Sequence, residues 1–225
     1  MGLIAGTWQD SDDGTMITPT NITLLSRAIL QKTKVKNPGT EQIVFYQPGV
    51  GTSLDALARL KGGAFGDGLM DDVREAYGFI VHNWEEGDEI YIFGFSRGAY
   101  TARSVVGLIC RFGLLTKRGM DGIGYVLDAY RHHLLTQPGE IEILASKYER
   151  SSANVPIKFV GVWETVGSLG IPDLYILGVR ASAFDYVLGK INEQYQFSDT
   201  DLHPMIQHAF HAYHLAGPGL MIDWH

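Results

Sequence analysis

The sequence predicts an α/β fold, with a mostly parallel sheet flanked by helices, in one domain spanning residues 1–225. Short apolar runs typical of buried strands occur at four places, namely residues 3–5, 42–46, 89–93 and 157–163. Between them lie longer stretches in which apolar residues recur at helical spacing, of which residues 69–84 and 99–115 are the clearest. Strands that alternate with helices indicate a parallel sheet. Neither a repeat nor a linker divides the chain.

The remaining segments are assigned by weaker signals. Residues 22–31 form an amphipathic pattern for which Asn21 is the predicted N-cap. Further helices are predicted at residues 123–135, 181–192 and 204–215. The glycine-rich stretch 62–68 is predicted to be a lid-like or cleft-lining loop, because no strand leads into it and its spacing does not match a dinucleotide-binding motif.

Composition excludes several classes of function. The net charge is −7 over 225 residues, whereas a nucleic-acid footprint needs a basic stripe. The N-terminal residues lack the pattern of a signal peptide, and no apolar stretch approaches the roughly 20 residues that span a bilayer. We therefore expect a soluble, cytoplasmic protein without a transmembrane segment. The single cysteine, Cys110, excludes an internal disulfide and lies in an apolar helical stretch, so we expect a buried, inert thiol.

The motif Gly94-Phe95-Ser96-Arg97-Gly98 is the strongest functional signal. Gly-x-Ser-x-Gly occurs by chance in glycine-rich chains, so its context decides its meaning. Here a buried strand leads directly into the motif and a helix follows it without a spare residue. That arrangement predicts a nucleophile elbow, which exposes the Ser96 hydroxyl at the carboxyl end of the sheet. The alternative is a plain strand-to-helix turn with an N-capping serine.

A nucleophilic serine also needs donors for the oxyanion. The backbone N–H of Arg97 is the predicted first donor, because it follows the nucleophile. The second is assigned to Val50 or Gly51, in the glycine-containing turn 48–52 that follows an earlier buried strand. An ordinary turn is the alternative there. A phosphate-binding P-loop is excluded because no lysine follows the glycines.

The acid and the base of a triad should come later in the chain. Glu164 directly follows the strand at residues 157–163 and is the candidate acid, with Asp173 in reserve. Four histidines cluster near the C-terminal end of the sequence, at positions 203, 208, 211 and 214. Neither a cysteine nor an HExxH pattern accompanies them, so we predict no metal and no cofactor.

Several motifs in the same order resemble one α/β-hydrolase family, which includes the catalytic domain of type VI secretion lipase effectors. They are Gly6-Thr7-Trp8, Thr20-Asn21, the segment from Tyr46 to Thr52, the segment from Gly94 to Arg103, and Gly161-Val162-Trp163-Glu164-Thr165-Val166-Gly167. The resemblance implies a Ser-Asp-His triad and phospholipase A-type ester hydrolysis. It implies Ser96 as nucleophile, Glu164 as acid, and His211 as base, with His208 and His214 as less well matched alternatives.

The leading hypothesis is therefore a serine hydrolase of carboxylic esters, with small-molecule and lipid esters as candidate substrates. The sequence departs from the family pattern at two carboxylates and in residues 212–219, which lack the acidic continuation expected after the histidine. Glu164 stands where the family usually has Asp, and Ala5 stands where it has Asp before Gly-Thr-Trp. These departures motivate the alternative, a catalytically weak or inactive hydrolase-fold binding module. The sequence does not predict the oligomeric state.

Overall fold

The structure is a computed structural model that describes residues 2–5, 21–29, 42–47, 64–95, 97–163, 202–214 and 220–224. Its strands, numbered in chain order, are β1 (Gly2–Ala5), β2 (Val44–Gln47), β3 (Ile90–Phe95), β4 (Leu114–Leu115), β5 (Arg150–Ser152), β6 (Ile157–Trp163), β7 (Ala209–His214) and β8 (Leu220–Trp224). Six of them form a sheet in the order β2-β1-β3-β6-β7-β8, and β4 pairs with β5 separately. Neighbours from β2 to β7 are parallel, whereas β8 is antiparallel to β7.

Helices flank this sheet. They are α1 (Asn21–Ala28), α2 (Ala64–Asn83), α3 (Arg97–Phe112), α4 (Ile123–Arg131) and α5 (Pro138–Lys147), with short 3₁₀ turns at Gly119–Gly122 and Leu134–Thr136. The predicted α/β class with a parallel, helix-flanked sheet is confirmed. A more specific α/β-hydrolase topology stays a prediction.

The core lies where α2 and α3 pack against the sheet. Val73, Ile80, Ile92, Val105 and Ile109 are completely buried there. Their spacing along each helix is the three-to-four-residue pattern that the sequence shows, so each helix buries one stripe. Burial of such a side chain contributes about 2 kcal/mol, which makes this layer the main support of the sheet.

The other face of the sheet carries aromatic residues, because successive side chains on a strand point to opposite faces. The rings of Phe93 and Phe159 have centroids 5.2 Å apart, and those of Phe159 and Phe210 are 5.1 Å apart. Gly161 lies among them, and a Cβ there would come within 2.8 Å of the Phe159 ring. Glycine at this position therefore permits the rings to pack across three strands.

Several predicted elements need correction. The predicted helix at 204–215 is wrong, because its second half is β7, which pairs with β6 on one side and β8 on the other. The predicted loop at 62–68 is wrong in part, since α2 already begins at Ala64. The helix predicted at 99–115 ends at Phe112, where Gly113 adopts a φ of 88° and turns the chain into β4. The helix predicted at 181–192 lies outside the described residues.

Candidate active site

The candidate segments converge on the carboxyl edge of the parallel strands. One row of register partners crosses the sheet near that edge: Gln47 on β2, Ala5 on β1, Gly94 on β3, Val162 on β6, His211 on β7 and Asp223 on β8. Segment 48–52 follows this row directly, and Ser96 and Glu164 follow it by two residues. Ser96, Glu164, Val50 and Gly51 themselves lie outside the described residues, as does Asp173.

The residues that precede Ser96 and Glu164 are direct partners. Phe95, which ends β3, pairs with Trp163, which ends β6. Neighbouring strands lie about 4.8 Å apart, so the two strand ends that precede Ser96 and Glu164 are adjacent. Sequence order alone could not give this adjacency, because Phe95 and Trp163 lie far apart in the chain.

The strand order also reverses at β3, the strand that precedes Ser96 in the chain. From β1 the chain moves outward to β2, and it then returns across β1 to form β3 on the other side. The carboxyl ends of β1 and β3 therefore flank a topological switch point, the place at which open α/β sheets bind ligands. Gly6 follows β1 there, and Ser96 follows β3.

Gly94 permits a close approach between the end of β3 and the start of α3. A Cβ at Gly94 would collide with the carbonyl oxygen of Gly98 and lie 2.6 Å from the Cα of Ala99. Any larger residue would push the first turn of α3 away from the strand. The tight turn that the sequence predicts around Ser96 therefore has a physical requirement for glycine at Gly94.

Arg97 is the first residue of α3, a helix of 16 residues. The first backbone N–H groups of a helix have no partner within it, and the helix dipole adds partial positive charge at the same end. The Arg97 N–H, predicted as an oxyanion donor, thus lies where negative charge is favoured. Ala99, Ala102 and Val105 bury the adjoining face of α3, which fixes this end of the helix against the sheet.

The chain matches a family described as "T6SS, Phospholipase effector Tle1-like, catalytic domain" over residues 3–217. It belongs to this family. The match extends across almost the whole chain and so includes every site residue predicted from the sequence. The resemblance seen in the sequence is confirmed.

A yeast protein is also similar to this Tle1-like domain. The uncharacterized protein YEL023C of Saccharomyces cerevisiae is 33% identical over 152 residues, which cover 59% of the present chain and 22% of the yeast protein. The chain thus spans about a fifth of the length of that relative. No solved structure matches the chain significantly.

In this Tle1-like domain, His211 lies in the middle of β7 rather than on a helix. It is half-buried and pairs with Val162 of β6, which in turn pairs with Gly94 of β3. His211 and Gly94 therefore lie in the same row, two strands or about 10 Å apart. The alternation of side chains places it on the face that α3 covers, the face that Gly94 and Val162 share. His208 precedes β7 and is exposed, while His214 is the last residue of β7, nearest the carboxyl edge.

The register reveals a carboxylate that the sequence reasoning missed. Asp223 on β8 is the direct antiparallel partner of His211. This pairing places Asp223 in the same row of register partners as Gly94, Val162 and His211. No sequence pattern indicated it, because the hairpin between β7 and β8 was not predicted. Asp223 is therefore a second candidate for the acid beside His211.

Neither metal-binding clusters nor membrane-spanning helices occur in the part of the chain that the structure describes. No three His, Cys, Asp or Glu residues within it come together as a metal site would require. None of the helices within it is both long and apolar enough to cross a membrane. The absence of a cofactor stays a prediction.

Proposed function

We propose that the protein is a single-domain serine hydrolase with an α/β-hydrolase topology, which cleaves carboxylic esters of lipids. The observation that carries the proposal is the convergence at the carboxyl edge. Gly94, Val162 and His211 lie side by side on three adjacent strands, and Ser96 and Glu164 follow the first two. Membership of a phospholipase effector family supports the ester class.

In the proposed mechanism Ser96 Oγ attacks the acyl carbonyl carbon, and the imidazole of His211 takes the hydroxyl proton. The Arg97 N–H and one N–H from Val50 or Gly51 hold the oxyanion of the tetrahedral intermediate. His211 then gives the proton to the leaving alcohol oxygen as the C–O bond breaks. Water hydrolyses the acyl-enzyme in a second, equivalent cycle, while Glu164 orients the imidazole.

Hydrolysis of p-nitrophenyl esters of several chain lengths, and of a phospholipid, tests the proposal. We expect wild-type turnover on at least one ester and a loss of about 10³-fold or more in Ser96→Ala, because residual rates come from binding and the oxyanion donors alone. A fluorophosphonate probe should label the wild type and not the variant. Folded wild-type protein without Ser96-dependent hydrolysis or labelling would instead favour an inactive, lipid-binding domain.

The choice of base needs a paired comparison. His211→Ala and His214→Ala alter residues of the same strand, three positions apart, one on the row of Gly94 and one at the strand end. We expect the first variant to lose hydrolysis to the level of Ser96→Ala and the second to keep most of it. The opposite result would transfer the role of base to His214.

A further inference from the structure

Gln47 makes an unusual pair of contacts at the end of β2. Its side chain is buried, with 7% of its surface exposed. The amide Nε2 donates to Oδ1 of Asp72 at 3.3 Å and to Oε2 of Glu75 at 3.1 Å. Both carboxylates lie on α2, three residues apart, and so face the same side of that helix. One neutral amide therefore lies between two acids.

These contacts connect an edge strand to the helix layer. Among the six strands of the described sheet, β2 is at the edge and hydrogen-bonds only to β1. An edge strand has half the ladder contacts of an inner strand, so its carboxyl end is less constrained. Hydrogen bonds from an amide to carboxylates are charge-assisted and stronger than neutral ones. Gln47 thus connects the end of β2 to α2, an anchor at a point where the sheet itself provides few hydrogen bonds.

Gln47 is also the residue at which the chain leaves the sheet for Pro48. We propose that Gln47, held by Asp72 and Glu75, is a positioning residue that fixes the direction in which residues 48–52 leave β2. The inference rests on the proposed function, in which Val50 or Gly51 donates to the oxyanion. Gln47 touches no reacting atom in this scheme and acts only through the direction it gives to the chain.

Gln47→Glu breaks the anchor with minimal change of shape. The new carboxylate would face two others, and like charges at hydrogen-bond distance repel. We expect kcat on the best ester to fall by about 10–100-fold while KM changes little, because a misplaced oxyanion donor is lost mainly in the transition state. A kcat equal to that of the wild type would overturn the proposal.

A variant with inverted hydrogen-bond polarity provides the rescue. Gln47→Glu combined with Asp72→Asn and Glu75→Gln pairs one carboxylate with two amides, so donor and acceptor exchange places. We expect this triple variant to recover at least half of the wild-type kcat. A role that depended only on the volume of the side chain would not respond to polarity in this way, and failure of the rescue would count against the anchor.

A second variant removes the anchor without altering the strand. Asp72→Ala with Glu75→Ala takes both acceptors from α2, where alanine is well tolerated. The matched control is Asp71→Ala with Arg74→Ala, which removes an exposed ion pair of 3.8 Å from the same helix. We expect a fall in kcat in the first double variant and wild-type kcat in the control. Equal effects in both would refute a specific role of Gln47.

Hydrogen exchange gives a readout that does not depend on catalysis. We expect Gln47→Glu to raise amide exchange in the peptide covering residues 44–52, and the triple variant to restore protection, with β3 and β6 unchanged in both. If the wild type hydrolyses no ester, the proposed function fails while this measurement still decides the anchor. Unchanged amide exchange at residues 44–52 in Gln47→Glu would by itself refute the inference.

Discussion

Two carboxylates are candidates for the acid that orients His211, and they belong to different parts of the chain. Glu164 follows β6 and is implied by the family pattern, whereas Asp223 is the register partner of His211 in the β7–β8 ladder. Only an acid that orients the imidazole stabilises the imidazolium of the transition state. A carboxylate that merely neighbours the ring in the sheet would affect stability more than turnover. The two roles can therefore be separated by isosteric substitutions.

We expect Glu164→Gln to lower kcat by about 10²–10⁴-fold, the range for loss of the orienting acid of a triad. Asp223→Asn, its matched control, should keep kcat within about threefold of the wild type while shifting the urea midpoint by a small amount. Ester hydrolysis under saturating substrate measures both. A large loss in Asp223→Asn with little change in Glu164→Gln would identify Asp223 as the acid.

At the scale of the element, long patterns predicted structure well and short ones did not. The helical periodicity around Val73 and Ile80 continues over 20 residues of α2, and the tertiary contacts of this helix agree with it. The histidines 208, 211 and 214 also have helical spacing, but the described strand β7 has only six residues. Over so short a segment, alternation and helical period cannot be distinguished, and pairing with β6 and β8 decides the outcome.

The helix α5 was missed for a different reason. Its first residues, Pro138 and Gly139, are of types that are typical of turns, because both break regular structure in the middle of an element. Proline is nevertheless favoured in the first turn of a helix, where its missing N–H costs nothing. Gly139 follows it in α5, and a Cβ there would meet no atom within 4 Å. Glycine is therefore required at Gly94, just before α3, but is not required at Gly139, in the first turn of α5.

The contrast between Gly94 and Gly139 provides a matched test of the predicted turn around Ser96. Gly94→Ala would force β3 and α3 apart, and we expect it to lower the free energy of unfolding by about 2 kcal/mol or more and to abolish ester hydrolysis. Gly139→Ala should be neutral or stabilise by up to about 1 kcal/mol, since alanine is the better helix former. Urea unfolding and ester hydrolysis measure the two effects. Wild-type activity in Gly94→Ala would contradict the tight turn.

At the scale of the whole molecule, strand order explains the placement of the helices. Connections between parallel strands are right-handed, so those that move in opposite directions along the sheet cross opposite faces. The step from β1 to β2 moves one way, and the steps to β3 and β6 move the other. The rule therefore places α1 on the face opposite to α2 and α3. The sequence predicted the α/β class, but strand order depends on long-range pairings that no local pattern encodes.

The core beneath α2 and α3 contains two groups whose burial makes folding sensitive to alkali. Burial raises the pKa of the Cys110 thiol from 9.0 to about 11, with Arg111 opposing the rise. Burial also raises the pKa of Tyr77 above its ordinary 10.0, against the lowering effect of the hydrogen bond from the Leu115 N–H. The Tyr77 hydroxyl in turn donates to the Gly113 carbonyl oxygen at 2.9 Å. Both groups are neutral in the folded state at pH 7.

Both pKa values are higher in the folded state than in the unfolded state. The stability that these two neutral groups contribute is therefore fully present below their unfolded pKa values and is lost as the pH rises through their folded pKa values. We expect the free energy of unfolding to fall from pH 9 upward, by at most about 1.4 kcal/mol per pH unit for the thiol, and more steeply above pH 10 where Tyr77 adds to it. Urea unfolding at pH 8, 9, 10 and 11 measures the slope. Cys110→Ala should flatten the interval from pH 9 to 10, and Tyr77→Phe the interval above 10. A wild-type stability that stays level from pH 8 to 11 would contradict burial of both groups, because exposed groups would lose their protons equally in the folded and unfolded states.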